Sequence, residues 1–416
     1  MIRVGPYQRP ARRHPRGWVR HYAGMIAPAG IVATRLSLER DRRARLRRVT
    51  TGLVTRTRGV GRSRARMRAL VASPGGRLRW HDIPAPPPPG PLGAVVHPLV
   101  SSTCDMDCPV MLGATQIPLP LHPGHECVAE VTRVGSDVTT VRPGDRVIVP
   151  FQINCGVCSP CLAGRTGSCV GVPPLSMYGF GITGGMWGGA YSDLVGVPHA
   201  DAMLVPLPAG VDPEAAVSVA DNVCDAYRHI GPHLPALLVA DPHAEVLVLG
   251  ATKTRSLFTP SCPLYTGLIA LAMGAQTVVF ADARKHVREH AQRLGMRAVT
   301  PRELRNLNPF QLVADVSASD LSTALAATAP DGVCSSSGGL HRHTRIPLLQ
   351  MYIRNATLHL GRTHVRALIP AVLELIADRG LRPELVTTRL DSLDEAPEVL
   401  REHLLDGTSV KTVLLA

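Results

Sequence analysis

Apolar and polar positions divide the chain into two regimes. From Met67 to about residue 210 the apolar runs are short and broken by glycine and proline. Arg68–Val71 and Gly76–Trp80 predict two strands, with Ser73-Pro-Gly-Gly76 as a hairpin turn between them. Pro84 to Pro91 is a proline-rich surface connector. Ala94–Val100, Cys127–Val134 and Gly144–Pro150 predict further strands, and Gly188–Tyr191 through Leu207–Gly210 continues this β-rich region.

The period then changes. Glu245–Gly250 is a short apolar strand ending in glycine, Leu264–Gly274 is helical, and Thr277–Asp282 is a second apolar strand ending in an acid. Val287–Leu294 predicts a helix, Leu312–Val316 a strand, Val365–Asp378 a helix and Ser409–Leu415 a last strand. Strands and helices alternating at this spacing imply a parallel sheet with crossover helices. The 416 residues suffice for two or three domains. Apolar runs such as Val246–Leu249 are strand-length, far below the roughly 20 residues that span a bilayer, so neither a membrane span nor a signal peptide is expected.

Charge changes the picture only at one end. The formal net charge is +13, but residues 1–66 contain 18 Arg and no Lys against Glu39 and Asp41. That segment carries +16 and leaves the remainder at −3, so nucleic-acid binding by the body of the protein is not expected. The Arg-rich stretch is compatible with a targeting peptide, with a tail for nucleic acid or anionic lipid, or with a disordered extension. The last is the expectation, with Met67 opening the folded part.

Cysteine brings in the chemistry. Cys155-x2-Cys158-x2-Cys161-x7-Cys169 spaces four thiols as a closed tetrahedral zinc site requires. Four protein ligands fill the shell, so the site is structural. Reduced thiols in a cytoplasmic protein fit the ten cysteines of this long chain better than disulfides. Cys104 and His125, 21 residues apart, supply too few ligands alone and need a partner from further along the chain.

Together, Cys104-x2-Asp107, Gly124-His125-Glu126, Val141-x-Pro-Gly-Asp145-Arg-Val147, the four-cysteine lobe, Gly188-Gly-Ala190, Leu393-Asp-Glu-Ala396 and Lys411-Thr-Val-Leu414 resemble the zinc-dependent medium-chain alcohol dehydrogenase family over residues 67–416. The resemblance implies an α/β fold in which a GroES-like β-rich catalytic domain is joined to a Rossmann domain with a doubly wound parallel sheet. The implied divisions are an extension over 1–66, the catalytic domain over 67–222 with the zinc lobe at 155–169, the cofactor domain over 223–366, and a return to the catalytic domain over 367–416.

It also implies a catalytic zinc on Cys104, His125 and a third ligand six positions before Tyr227, which is Asp221. Cys224, a softer ligand, is the rival, and its alternative role is that of a small buried hydrophobe. Asp107 matches the acid that orients the His ligand, and Glu126 the acid beside the zinc. Many relatives carry Ser or Thr as a proton relay where this chain has Met106; Thr103 and His122 are near in sequence but carry no stronger claim. The implied activity is hydride transfer between a small alcohol, or an aldehyde hydrate, and NAD, with NADP possible. Two zinc ions per chain and a homo-oligomer, dimer or tetramer, are implied with it. The Asp221-Asn222 setting looks similar to the branch containing formaldehyde dehydrogenases.

One stretch departs from the family. Three spaced glycines ordinarily follow the first strand of the parallel sheet and let backbone N–H groups approach a pyrophosphate. Here only Gly250 remains, followed by Ala251 to Pro263 with two prolines. Asp282 lies 32 residues beyond Gly250, where such folds place the acid about 20–25 residues on. The loop binds the cofactor differently, with Lys253 and Arg255 supplying charge, or the domain has lost cofactor binding and is a zinc-stabilised scaffold, or the stretch is a local departure of reading frame. Asp282 is expected to accept from a ribose hydroxyl, favouring NAD, with Arg284 and Lys285 softening that preference; its plainer role is to cap the next helix.

Overall fold

The structure is a computed structural model that describes residues 65–316, 320–338 and 344–416. The expectation for the Arg-rich stretch falls on residues 1–64, outside those described. A hairpin opens the described chain: β1 (Arg66–Ser73) pairs antiparallel with β2 (Arg77–Pro84). Its turn requires glycine, because Gly75 and Gly76 sit at φ 86° and 70°, where a β-carbon is strained.

The first large sheet gathers β3 (Ala94–Ser102), β4 (Glu126–Val134), β5 (Arg146–Val149), β6 (Val195–Val197) and β7 (Val205–Pro206) in antiparallel pairing. Beyond β5 the chain forms the cysteine lobe, then reaches α1 (Asn222–Ile230). From there it builds the second sheet: β8 (Val246–Leu249), β9 (Val278–Ala281), β10 (Arg297–Val299), β11 (Phe310–Asp315), β12 (Thr328–Ser336) and β13 (Thr357–Leu360). All its pairs are parallel and the spatial order is β10-β9-β8-β11-β12-β13. That is the 3-2-1-4-5-6 order of the doubly wound dinucleotide-binding fold. Helices α2 (Ser261–Ala272) and α3 (Lys285–Arg293) are its first crossovers. After α4 (Val365–Asp378), the chain runs through β14 (Arg389–Ser392) and α5 (Ala396–Leu405) to β15 (Thr412–Leu415). β15 lies between β14 and β3, antiparallel to β3, so the end of the described chain is sewn into the first sheet.

Burial explains the uninterrupted apolar strands. Val246, Val248, Val278 and Phe280 face one core, while Leu247, Leu249, Val279 and Ala281 face another on the opposite side of the sheet. With helices on both faces, a parallel strand has no solvent side and no reason to alternate. Each Val, Leu or Phe among them contributes about 1.5–3 kcal/mol of burial. The first of these cores also holds Val100, Val128 and Ile148 of the antiparallel sheet, so apolar packing is continuous across the two sheets.

Helix α2 starts at Ser261, three residues earlier than the apolar pattern predicts, because a carboxylate meets its first N–H groups (below). The apolar pattern predicts neither β12 nor β13. Pro330, Asp331 and Gly332 interrupt the apolar pattern of β12, with Asp331 at φ 57°, and β13 is largely exposed at the sheet edge. Among the described residues no helix is long and apolar enough to cross a membrane.

Candidate active site

Three side chains from distant parts of the chain meet below the first sheet. Cys104 follows the end of β3, His125 immediately precedes β4, and Asp221 is the residue before α1; all three are buried. The strand pairing Ser102↔Glu126 sets Cys104 and His125 side by side. Gly124 makes the approach to His125 possible. Its φ is 90°, and a β-carbon there would lie 2.7 Å from the Tyr191 backbone nitrogen. Asp221 Oδ2 lies 3.2 Å from Cys104 Sγ and 3.2 Å from His125 Nε2. The three candidate ligand atoms are all within 4.8 Å of one another. Cys224, the rival, is fully buried one turn into α1 and takes no part in this group.

The donor set suits zinc: one thiolate, one imidazole and one carboxylate, with room for a fourth ligand. Its electrostatics point the same way. Burial and the Asp221 and Asp107 charges push the Cys104 thiol well above its ordinary range. A cation at the centre of the trio reverses that effect. At His125, burial disfavours the charged ring, but the bond to Asp221 and the Asp107 charge outweigh it and raise its pKa. His125 Nδ1 is buried without a hydrogen-bond partner, 4.0 Å from Asp107 Oδ1. Asp107 Oδ2 accepts instead from the Cys104 N–H at 2.9 Å, so the acid holds the thiol's backbone and lies near the ring at once.

Glu126 is outside the trio and is engaged by other partners. Its carboxylate takes 2.6 Å from Lys411 Nζ, 2.5 Å from Ser102 Oγ and 3.1 Å from the Asn222 N–H. Both Glu126 and Lys411 are completely buried. Burial works against the Lys411 ammonium and Glu126 outweighs it, holding the lysine charged. The sequence gives Lys411 only as part of a terminal motif; its partner is 285 residues away, and nothing in local spacing reports that. Thr103 Oγ1 is bonded to the Thr412 backbone and His122 Nδ1 to the Leu70 carbonyl. Met106, by contrast, reaches the cleft wall.

The second cluster is Cys155, Cys158, Cys161 and Cys169, whose sulfurs also lie within 4.8 Å of one another. Cys158 Sγ is 3.4 Å from Cys161 Sγ and 3.8 Å from Cys169 Sγ, and all four cysteines are free thiols. Backbone N–H groups of Val170, Cys155 and Gly171 point at Cys158 or Cys169 sulfur. At Cys158 burial raises the pKa, but the N–H of Val170 and its thiol neighbours outweigh it and bring the thiol down to about 6, which favours a thiolate ligand.

A cleft of about 260 Å³ opens between the sheets, with Cys104, Asp221 and Phe180 on one wall and Ala251, Phe258 and Arg284 on the other. Gly250 ends β8 directly against Asp282: a β-carbon there would meet the carboxylate. Asp282 is fully buried. Oδ2 accepts from the Ala251 N–H at 2.9 Å and Arg284 Nη2 at 2.8 Å, and Oδ1 from the Arg284 N–H at 2.8 Å and its Nε at 3.0 Å. Arg284 also donates to the Phe258 carbonyl at 2.9 Å, so it pins the altered loop to the second strand of the sheet.

Comparison with known proteins finds similarity of one kind. Residues 90–209 match the alcohol dehydrogenase GroES-like domain. A Mycobacterium tuberculosis protein described as a probable zinc-binding alcohol dehydrogenase is 28% identical over 341 residues, covering 79% of this chain and 83% of the relative. Glutathione-independent formaldehyde dehydrogenase of Pseudomonas aeruginosa is 30% identical over 239 residues, covering 55% of this chain and 57% of that enzyme. The solved alcohol dehydrogenase of Thermus sp. ATN1 superposes with a TM-score of 0.73 at 28% identity, covering 84% of this chain and 99% of that one. The class is therefore that of two-domain α/β oxidoreductases with a GroES-like domain. Within it, the chain is similar to zinc-binding alcohol dehydrogenases over most of its described length, and residues 90–209 match the GroES-like domain of alcohol dehydrogenases.

Proposed function

We propose that this protein transfers a hydride between a small alcohol, or an aldehyde hydrate, and NAD(P), at a zinc site formed by Cys104, His125 and Asp221. The observation that carries the reading is the convergence of these three buried ligands, two of which, Cys104 and Asp221, line a cleft shared with Ala251, just beyond the first strand of a dinucleotide-type sheet. Bound zinc would supply Lewis-acid polarisation of a substrate oxygen, and the nicotinamide the hydride acceptor or donor. The chain's own residues do the rest. Asp107 fixes the Cys104 backbone and sits where it can orient His125. Phe151 and Phe180 flank the His125 ring at 5.6 and 5.0 Å and keep water from its faces. Glu126 and Lys411 brace the trio from behind, through the strand that carries His125 and the N–H of Asn222 next to Asp221. Gly250, Asp282 and Arg284 form the cofactor side, Asp282 acting by holding Arg284 and the Ala251 turn at the cleft wall. Cys155, Cys158, Cys161 and Cys169 hold the second, structural zinc.

The test is zinc content and NADH and NADPH binding measured on the same purified sample, with Asp221→Asn alongside. Two zincs per chain, nucleotide binding, and alcohol oxidation abolished in Asp221→Asn with one zinc lost are the expected results. A second reading, a zinc-stabilised scaffold without hydride transfer, is favoured by one observation: the donors at the start of α2 are already engaged. Two zincs with neither nucleotide bound, by the wild type or by an Asp105→Asn protein, would establish it.

A further inference from the structure

Asp105 follows the zinc ligand Cys104, yet its side chain reaches across the cleft to the other sheet's first crossover helix. Oδ1 accepts from the Ser261 N–H at 3.1 Å, from Thr259 Oγ1 at 3.2 Å and from Ser261 Oγ; Oδ2 accepts from the Cys262 N–H at 3.0 Å. One carboxylate thus takes four donors from a loop 154 to 157 residues away.

The place matters more than the number. Ser261 and Cys262 open α2, a helix of 12 residues directly after β8. In a sheet of order 3-2-1-4-5-6, that helix end is where a diphosphate is held, by free N–H groups and the positive end of the helix dipole. Here those N–H groups are few. Pro263 has none, and the Leu264 N–H is already turned back to the Pro260 carbonyl at 3.3 Å. The donors left are Ser261 and Cys262, and Asp105 takes both. The chemistry of the seat suits a phosphate, but an anion of the chain itself sits in it.

We infer that Asp105 is a tethered competitor for the diphosphate of the cofactor. In the conformation described, the carboxylate straps the two sheets together across the cleft, and a dinucleotide binds only after Asp105 lets go of α2. This rests on the dehydrogenase reading given above. A tethered group acts at an effective concentration in the millimolar range, so it lowers apparent cofactor affinity by the fraction of molecules in which it is released.

The experiment uses the full chain with zinc bound, as wild type, Asp105→Asn and Asp105→Ala. NADH, NADPH and inorganic pyrophosphate are titrated by calorimetry, with zinc content and thermal unfolding measured on the same samples. Asp105→Asn keeps the shape and removes the charge, so it reports even if Asp105→Ala proves unstable. The expected result is a dinucleotide Kd about 10-fold or more lower in the variants, with pyrophosphate binding gained and zinc content unchanged. Wild type that does not bind beside variants that do is the strongest support. Variants that bind equally or more weakly than a binding wild type overturn the competitor and leave the dehydrogenase reading standing. No nucleotide binding by any of the three proteins overturns both.

Discussion

Replacing Lys411 by Met tests the architecture behind the site. The lysine has no exposed surface, and neither has Glu126 at 2.6 Å. Methionine fills nearly the same space, so packing is conserved and the lost quantity is charge. Glu126 then keeps Ser102 Oγ and the Asn222 N–H as donors but has no cation. Breaking a buried pair by removing one partner costs about 3–5 kcal/mol, because an uncompensated charge remains. For domains of this size that corresponds to a fall in Tm on the order of 10 °C. The double variant Glu126→Gln/Lys411→Met removes both charges and should recover most of the loss, since an apolar or neutral replacement of a whole pair is often near neutral. Differential scanning calorimetry on the four proteins of the cycle gives the coupling directly. A single variant melting within 2 °C of wild type, or a double variant no better than the single, would refute the assignment of the pair as the brace of this site.

Two further outcomes follow from the same structure. Cys158→Ser should lower bound zinc from two to one per chain and make residues 155–169 sensitive to protease while the parallel sheet stays folded; unchanged zinc by mass spectrometry would remove the structural site. His229 and His403 are buried neutral, burial bringing their pKa values down to about 3 and about 4. Since the unfolded chain takes these protons first, at about pH 6.5, their contribution to stability is complete above that pH and lost as pH falls, by about 1.4 kcal/mol per pH unit for each. A His229→Gln protein should therefore show a shallower fall in Tm between pH 6.5 and 5 than wild type, and equal slopes would contradict this.

Much of this was legible in the sequence, for definite reasons. Val246–Leu249 and Val278–Ala281 read as buried strands because a sheet covered on both faces leaves no polar alternation to confuse. The apolar residues of Val365–Asp378 recur at helical spacing and predict this helix with the bounds it has. The cysteine quartet is local, and spacing alone brings it together. The Cys104, His125 and Asp221 group needed a family resemblance, because its third member is 117 residues from its first. What stayed hidden is of one kind: partnerships across the fold. Lys411 with Glu126, and Asp105 with α2, join residues that no periodicity relates. Asp282 shows the converse. Its place at a strand end was readable, but the four donors that surround its carboxylate are a property of the folded loop.

The insertion of β15 beside β3 also orders events in time. A ribosome makes β3 and β4, with Cys104, His125 and Glu126, long before Lys411 and β15. Until β15 arrives, the nascent first sheet shows an open edge along Val100–Ser102, and Glu126 has no counter-charge. The intervening parallel sheet, built from nearer neighbours in sequence, is complete earlier. The zinc-bearing half of this protein is thus begun first and finished last, and the unpaired edge is the part of the young chain most in need of protection from aggregation.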